Sequence, residues 1–567
     1  MTLPTTLAAR LSLLLCAALV ASCGDNVEAP ALSTRSTTQT SEAAPKAAAS
    51  ASATARIATV TLQSIELTSN DASIGIGETT ALQVVGRYSD DSTQNLLPKV
   101  IWHTSKKGII RILKGEIHGI SAGMVQVTVT LNGVSSEPLP ITVGYTIGGS
   151  IHGLDEGNSL SIINNGSIEE IITNGDTFTL RNKFIPKTAY DIQASAIPNA
   201  QPCTQTYGKG RVSNSNVSNI HIICGVPSKG VSVTSTDISN ARRNHTATLL
   251  SNGKLLVAGG ANDTGSIAST ELLDAANNKL AAAGSLKQAR HSHSATLLPD
   301  GRVLVAGGIG EGVTRLSSAE IFAPVSSKWE ATGSLNIARR GHTATLLPNG
   351  KVLVVGGIGA TGQGIISSAE LYDPATGKWS IANGLSSART QHTATLLPNN
   401  KVLIAGGTGP NGSLSSAELY DTETGTWSIT SKARVPRYLH TATLLPNGNV
   451  LITGGLDDKG ILATSELFDT ENGQWITAGK LTDARYSHSA VLLPTGLVYV
   501  TGGSSAGGKH ILASAELFNP ATGAWSTTGP STHARSQHTT VLLNNGKAIT
   551  VGGSSGGEAL KSVELYW

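Results

Sequence analysis

Cysteine is nearly missing from this chain. Four occur in 567 residues, at positions 16, 23, 203 and 224, and none lies between residue 226 and the C-terminus. Disulfides and cysteine chemistry are therefore excluded from that long stretch. Charge is also scarce: Asp, Glu, Lys and Arg make up 14% of the residues and the formal net charge is +3. No basic patch stands out, so nucleic acid is not an expected partner. A Ser nucleophile elbow, a His-Glu-x-x-His helix and a P-loop are all absent, which removes the commonest hydrolase, zinc-protease and nucleotide signatures. The apolar run Leu11–Val20 is too short to cross a bilayer. What remains is a Gly-, Ser- and Thr-rich, strand-favouring composition with 63 glycines. The length suggests about four domains at ~150 residues each.

One unit dominates the C-terminal part. It begins Arg339-Arg340-Gly341-His342-Thr343-Ala344-Thr345 and runs through Pro348-Asn349-Gly350 to Gly356-Gly357, then Ser368-Ala369-Glu370-Leu371-Tyr372 and Trp379. Its histidine recurs as His245, His293, His342, His392, His440, His488 and His538, 48 to 50 residues apart. A fixed period of that size signals a solenoid, a propeller or an array. Within a unit, His342–Leu347 and Lys351–Val355 read as strands joined by a tight turn. Ser368–Tyr372 is a third strand and Trp379 opens a short fourth. Four antiparallel strands in about fifty residues make one propeller blade. The glycine doublet, followed by Tyr or Phe and then Trp, resembles the Kelch motif over residues 231–567. The resemblance implies a seven-bladed propeller. The first repeat departs from it, with Leu273 and Leu280 in the aromatic slots. The last repeat stops at Trp567, before a fourth strand, and Val231–Thr234 is expected to complete that blade.

The N-terminal part divides into four. Residues 1–22 read as a signal segment, and Val20-Ala21-Ser22-Cys23 resembles the bacterial lipobox. The resemblance implies lipidation at Cys23 and residence in the cell envelope, at the outer membrane. Residues 23–57 are an Ala-, Ser- and Thr-rich tether that cannot bury a core. In residues 58–144, short alternating strands and the segments around Tyr88, Trp102 and Ile120 resemble the bacterial Ig-like domain, group 2, which implies that Trp102 is a core residue of a sandwich. Residues 145–226 read as a second small β-sandwich. With Cys16 removed and Cys23 lipidated, Cys203 and Cys224 are left as a disulfide pair in an oxidising compartment.

Seven histidines suggest a metal ring or a bank of bases. A residue present in every blade, however, does the same structural work in every blade, and sites on propellers arise where blades differ. The same holds for the repeated arginine, exemplified by Arg339, and the repeated glutamate, exemplified by Glu370, which are expected to pair. His342, Arg339, Glu370, Trp379 and their equivalents are accordingly read as structural. Galactose oxidase also carries a Kelch-type propeller, but its chemistry uses a Tyr–Cys crosslink that this stretch cannot form. The Asp-box order of sialidases is absent too. No catalytic residue, metal or cofactor is assigned.

The segments between the glycine doublet and the glutamate do vary. Asn262, Asp263, Arg315, Asp457, Asp458, Lys459, Lys509 and His510 are the candidate ligand-face residues. The expected function is non-enzymatic recognition of a protein or glycan at the cell surface by a monomer held to the membrane through its lipid anchor alone. The alternatives are a polysaccharide-active hydrolase or lyase acting on the propeller face, or a purely structural envelope component.

Overall fold

The computed structural model describes residues 59–567, apart from residue 174 and segments 198–200, 226–229 and 506–509. The signal segment, the tether, Cys23 and Lys509 lie outside the described residues. Strands and turns account for the described chain, with one short 3-10 turn at Glu311–Val313.

Two sandwiches come first. One sheet of the first joins Leu62–Ser69, Thr79–Tyr88, Glu116–Gly119 and Ile110–Leu113. The other joins Ser73–Gly75, Leu139–Gly144, Gly123–Leu131 and Ile101–Thr104. Alternation sets the inward face: in Thr79–Tyr88 residues 80, 82, 84 and 86 are buried. Leu82 and Val84 meet Val127, Val129 and Ile141 across the core. Trp102 departs from the expectation. It is half-buried against the margin of this core, because its strand ends the sheet and has a neighbour on one side only.

The second sandwich pairs a sheet containing Ile147–His152, Val217–Cys224 and Cys203–Thr206 with one containing Ser159–Asn164, Ala189–Ile197 and Lys209–Arg211. Cys203 stands directly opposite Cys224 in the antiparallel register, and the two form a disulfide.

Residues 232–567 build seven four-stranded antiparallel sheets. Blade 3 is representative: Thr343–Leu346, Val352–Val355, Ala369–Asp373 and Lys378–Ala382, from the axis outward. First strands of successive blades lie side by side, and Thr539–Leu542 of blade 7 lies beside Thr246–Leu249 of blade 1, which closes the ring. Ser232–Thr234 pairs with Val563–Tyr566 as the outermost strand of blade 7. That blade is therefore assembled from both ends of the domain.

Second strands are apolar without alternation because both of their faces are covered. Val352 and Val354 pack with Leu304 and Ala306 of blade 2, while Leu353 and Val355 pack with Val402 and Ile404 of blade 4. Each such side chain contributes about 1.5–3 kcal/mol when fully buried. Tyr372 stands opposite Trp379 with ring centroids 5.0 Å apart. Leu273 and Leu280 take the same opposed positions in blade 1.

The second sandwich packs on one end of this ring rather than standing off from it as a spacer. Tyr207 lies against the apolar cluster of Leu347, Leu353 and Leu396. Lys209 pairs with Glu471 at 2.9 Å. Backbone atoms of Gly210 and Gly225 approach Pro398, Pro494 and Gly546 so closely that a Cβ on either glycine would collide. Leu347, Pro398, Glu471, Pro494 and Gly546 belong to the turns after first and third strands, and Leu353 and Leu396 lie in the strands beside them. The opposite end, formed by the glycine-doublet loops and the Arg–His connections, carries no such cover among the described residues.

Candidate functional site

The open end is built on a buried ion pair repeated in every blade. Arg339 uses all five of its N–H groups. Nε donates to Ile337 O (3.3 Å), Nη1 to Gly356 O (2.9 Å) and Ser368 O (3.0 Å), and Nη2 to Ser368 Oγ (3.1 Å) and Glu370 Oε1 (2.7 Å). Glu370 in turn accepts the Asn336 N–H at 2.7 Å and the Ile337 N–H at 3.1 Å. One carboxylate and one guanidinium thus tie the connection entering a blade to that blade's second and third strands. Burial would raise the Glu271 carboxyl of blade 1, but the Ser239 N–H and Arg242 outweigh it and hold the group below the ordinary carboxylate value.

Glycine doublets let each blade touch the next. Gly357 donates its N–H to Arg389 O at 2.8 Å. Gly356 has φ +64°, and a Cβ there would stand 2.5 Å from the same carbonyl. Only glycine tolerates both the left-handed backbone and that approach.

The histidines form a second inter-blade series. Nε2 of His342 meets Ser294 Oγ at 2.9 Å and Nε2 of His392 meets Thr343 Oγ1 at 2.9 Å. His293, His440 and His488 repeat the contact with the preceding blade, and His245 closes it onto Thr539 of blade 7. His538 departs from the series, because its counterpart Ser489 Oγ accepts the Thr540 N–H instead. Burial, then the neighbouring arginines, push His245, His342, His392 and His488 down to about 3. Neutral rings facing hydroxyls are bridges between blades, and no cluster of three or more His, Cys, Asp or Glu suited to a metal occurs among the described residues.

Above the histidines the backbone closes a ring of its own. Residues 244, 292, 341, 391, 439, 487 and 537 all have φ between 51° and 61°. Each donates its N–H to the carbonyl of its equivalent in the preceding blade, from Ser292 N to Asn244 O (3.0 Å) round to Asn244 N to Gln537 O (3.1 Å). The backbone groups of this ring are therefore occupied by one another, while the histidine Nδ1 atoms beneath it are buried without a hydrogen-bond partner.

The position after the repeated arginine bridges to the residue following the glycine doublet in every blade, and it is partly exposed in blades 1, 2, 3, 5 and 6 but buried in blades 4 and 7. It is Arg243, His291 and Arg340 in blades 1 to 3 and Thr390 in blade 4. Tyr438 and Tyr486 follow in blades 5 and 6, and Ser536 in blade 7. Sequence reasoning passed over this series, although the two varying positions between the fixed Arg and the fixed His are the signal that marks it.

Several of the residues expected on the ligand face are engaged within it. Asn262 Oδ1 accepts from Thr264 N and Oγ1 in its own turn. Asp263 pairs with Arg243 at 3.0 Å and also accepts from Ala559 N of blade 7. Asp457 caps its turn through the Lys459 and Gly460 N–H groups, and Asp458 accepts from Ser413 N of blade 4. Lys459 is exposed at a hairpin tip, and His510 is exposed in the short strand His510–Ile511. Arg315 differs: it is half-buried and its Nε is enclosed without a partner.

Residues 341–553 match the KLHDC2/KLHL20/DRC7 Kelch-repeats domain. No curated protein sequence matches the chain. Among solved structures, a fungal alcohol oxidase of the AA5 family in complex with copper is similar at 19% identity and a TM-score of 0.49, over 59% of this chain and 75% of that one. YjhT is similar at 16% identity and a TM-score of 0.44, over 52% of this chain and 99% of its own.

Proposed function

We propose that this chain is a non-enzymatic recognition protein whose propeller binds a protein partner through the glycine-doublet face. One observation carries the reading: one end of the ring is covered by the second sandwich, while the other carries, between the repeated Arg and His, residues that differ blade by blade and are partly exposed in blades 1, 2, 3, 5 and 6. Kelch-repeat domains generally mediate protein interactions, and the match over residues 341–553 supports that use. Tyr and Arg, prominent in the variable series, are the residue types enriched in protein interfaces. The reading sets the protein in the bacterial cell envelope. The lipobox-like run ending at Cys23 and the Cys203–Cys224 disulfide, which needs an oxidising compartment, support that location.

The test is capture from envelope and extracellular fractions with the full chain as bait. It is repeated with Tyr438→Ala/Tyr486→Ala on the open face and with Asp373→Ala in a turn at the opposite end. A partner kept by Asp373→Ala and lost by the tyrosine variant is the expected result. A partner held equally by both variants sinks the assignment of the face.

A further inference from the structure

The open face is not electrically uniform. The position after the repeated arginine is basic in blades 1 to 3, as Arg243, His291 and Arg340, with Arg315 beside them in blade 2, whereas it is tyrosine in blades 5 and 6. His291 and Arg315 flank Ile309 as bridge partners on either side, and Arg340 enters from the next blade.

These basic groups are not alike in their partners. Arg243 is neutralised by Asp263 at 3.0 Å and also donates to Gly557 O. His291 Nδ1 meets Ser266 Oγ at 2.8 Å. Arg315 and Arg340 have no carboxylate within 4.0 Å among the described residues, and the Arg340 side chain makes no hydrogen bond there. The acid on the same loop, Glu311, is exposed and does not reach Arg315. Burial and then the charge of nearby Arg315 lower Arg340. Half-buried like charges without a counter-ion are unfavourable unless a ligand supplies one.

We infer that Arg315 and Arg340 form an anion subsite that receives a carboxylate side chain of an acidic polypeptide. Guanidinium groups match carboxylates in a two-pronged geometry, and neither Arg315 nor Arg340 has an ion-pair partner among the described residues to compete for it. Tyr438, Tyr486 and Leu439 across the axis offer the flat, amphipathic surface on which the rest of such a chain can lie. The inference rests on the reading of this face as a protein-recognition surface and adds the chemistry it selects.

Hexaglutamate, hexalysine and heparin are titrated into the full chain by calorimetry, against wild type, Arg315→Gln/Arg340→Gln and Lys254→Gln, the last in a turn at the covered end. Melting temperature and circular dichroism confirm folding of each variant. Hexaglutamate is expected to bind wild type and Lys254→Gln within threefold of each other. The double variant is expected to lose at least tenfold while its melting temperature holds. Sodium sulfate should displace the peptide, and hexalysine should give no heat. Undiminished binding by the folded double variant overturns the subsite. Absence of hexaglutamate binding to wild type does too, and so does binding of heparin alone, which would assign the arginines to a sulfated glycan. Hexaglutamate bound at these arginines with no protein captured by the open face retains the subsite and removes the recognition reading. A partner captured through Tyr438 and Tyr486 but indifferent to Arg315→Gln/Arg340→Gln does the reverse.

Discussion

Arg339 Nη2 and Glu370 Oε1 meet at 2.7 Å, with the two side chains 0% and 1% exposed. Glu370→Gln would keep the shape and remove the counter-charge of a guanidinium that cannot deprotonate. Leaving one partner of a buried pair uncompensated costs about 3–5 kcal/mol. Urea unfolding of Glu370→Gln should show that loss, and Glu418→Gln in the next blade should show a similar one, because Arg389 and Glu418 repeat the contact at 2.9 Å. Ligand capture by the surviving folded fraction should be unchanged. A Glu370→Gln protein as stable as wild type would mean the pair is not what holds the blade.

Acid should unfold the propeller through its histidines. In the folded chain His245, His342, His392 and His488 are held down to about 3, against an ordinary value of 6.5, so they stay neutral when an unfolded chain would take up protons. The stability they support is complete above pH 6.5 and is lost as pH falls from there toward 3. Each histidine contributes a slope of up to about 1.4 kcal/mol per pH unit inside that window. Urea unfolding at pH 7.5, 6 and 5 should steepen accordingly, and His392→Asn should reduce the slope by one proton. A stability curve flat from 7.5 to 5 would contradict the burial of neutral rings.

Much of this architecture was legible because the repeat spells it out seven times. The 48–50-residue spacing, the tight turn and the glycine doublet set the blade, and the truncated last repeat pointed to Val231–Thr234 as its missing strand. Opposite charges in an apolar repeat made the Arg339–Glu370 pairing readable, since buried charges need partners. The candidate site was less so. Asp263 and Asp458 look like free acids in a loop, yet the N–H groups of Ala559 and Ser413 are brought to them by hairpins of neighbouring blades, a register that no local pattern encodes. The docking of the second sandwich was also hidden. It depends on a single aromatic, Tyr207, and on backbone approaches at Gly210 and Gly225 that carry no sequence signature beyond glycine itself.

Two glycines with similar backbone angles should respond differently to alanine. Gly362 has φ +89° with open space where a Cβ would go, whereas at Gly356 the Cβ would meet Arg389 O at 2.5 Å. Gly362→Ala carries only the left-handed backbone penalty, about 1–2 kcal/mol. Gly356→Ala adds a collision with backbone of the next blade and should lose at least twice as much. Paired thermal melts of the two variants decide the matter. Equal losses would show that the ring can open at this seam without strain.

The contact between the second sandwich and the propeller should hinge on Tyr207. It sits at φ +58° in the turn between Cys203–Thr206 and Lys209–Arg211, which aims its ring at Leu347, Leu353 and Leu396 between blades 3 and 4. Burial raises its phenol above the ordinary tyrosine value. The neighbouring Lys209–Glu471 bridge is 41% and 68% exposed, so screening leaves it within about 0–1 kcal/mol. Removing the ring should therefore release the sandwich where removing the charge does not. Small-angle scattering of Tyr207→Ala should show a larger radius of gyration than wild type, with Leu347 and Leu396 gaining hydrogen exchange, while Lys209→Ala should match wild type in both. The Cys203–Cys224 bridge lies at the base of the same turn and closes a separation of 21 residues, worth roughly 3 kcal/mol in the chain-entropy account. Reduction should loosen the turn and reproduce part of the Tyr207→Ala expansion without lowering the melting temperature of the blades. An unchanged scattering profile for Tyr207→Ala would shift the docking energy to the backbone approaches at Gly210 and Gly225, and bulky substitutions there would then be the ones to separate the two bodies.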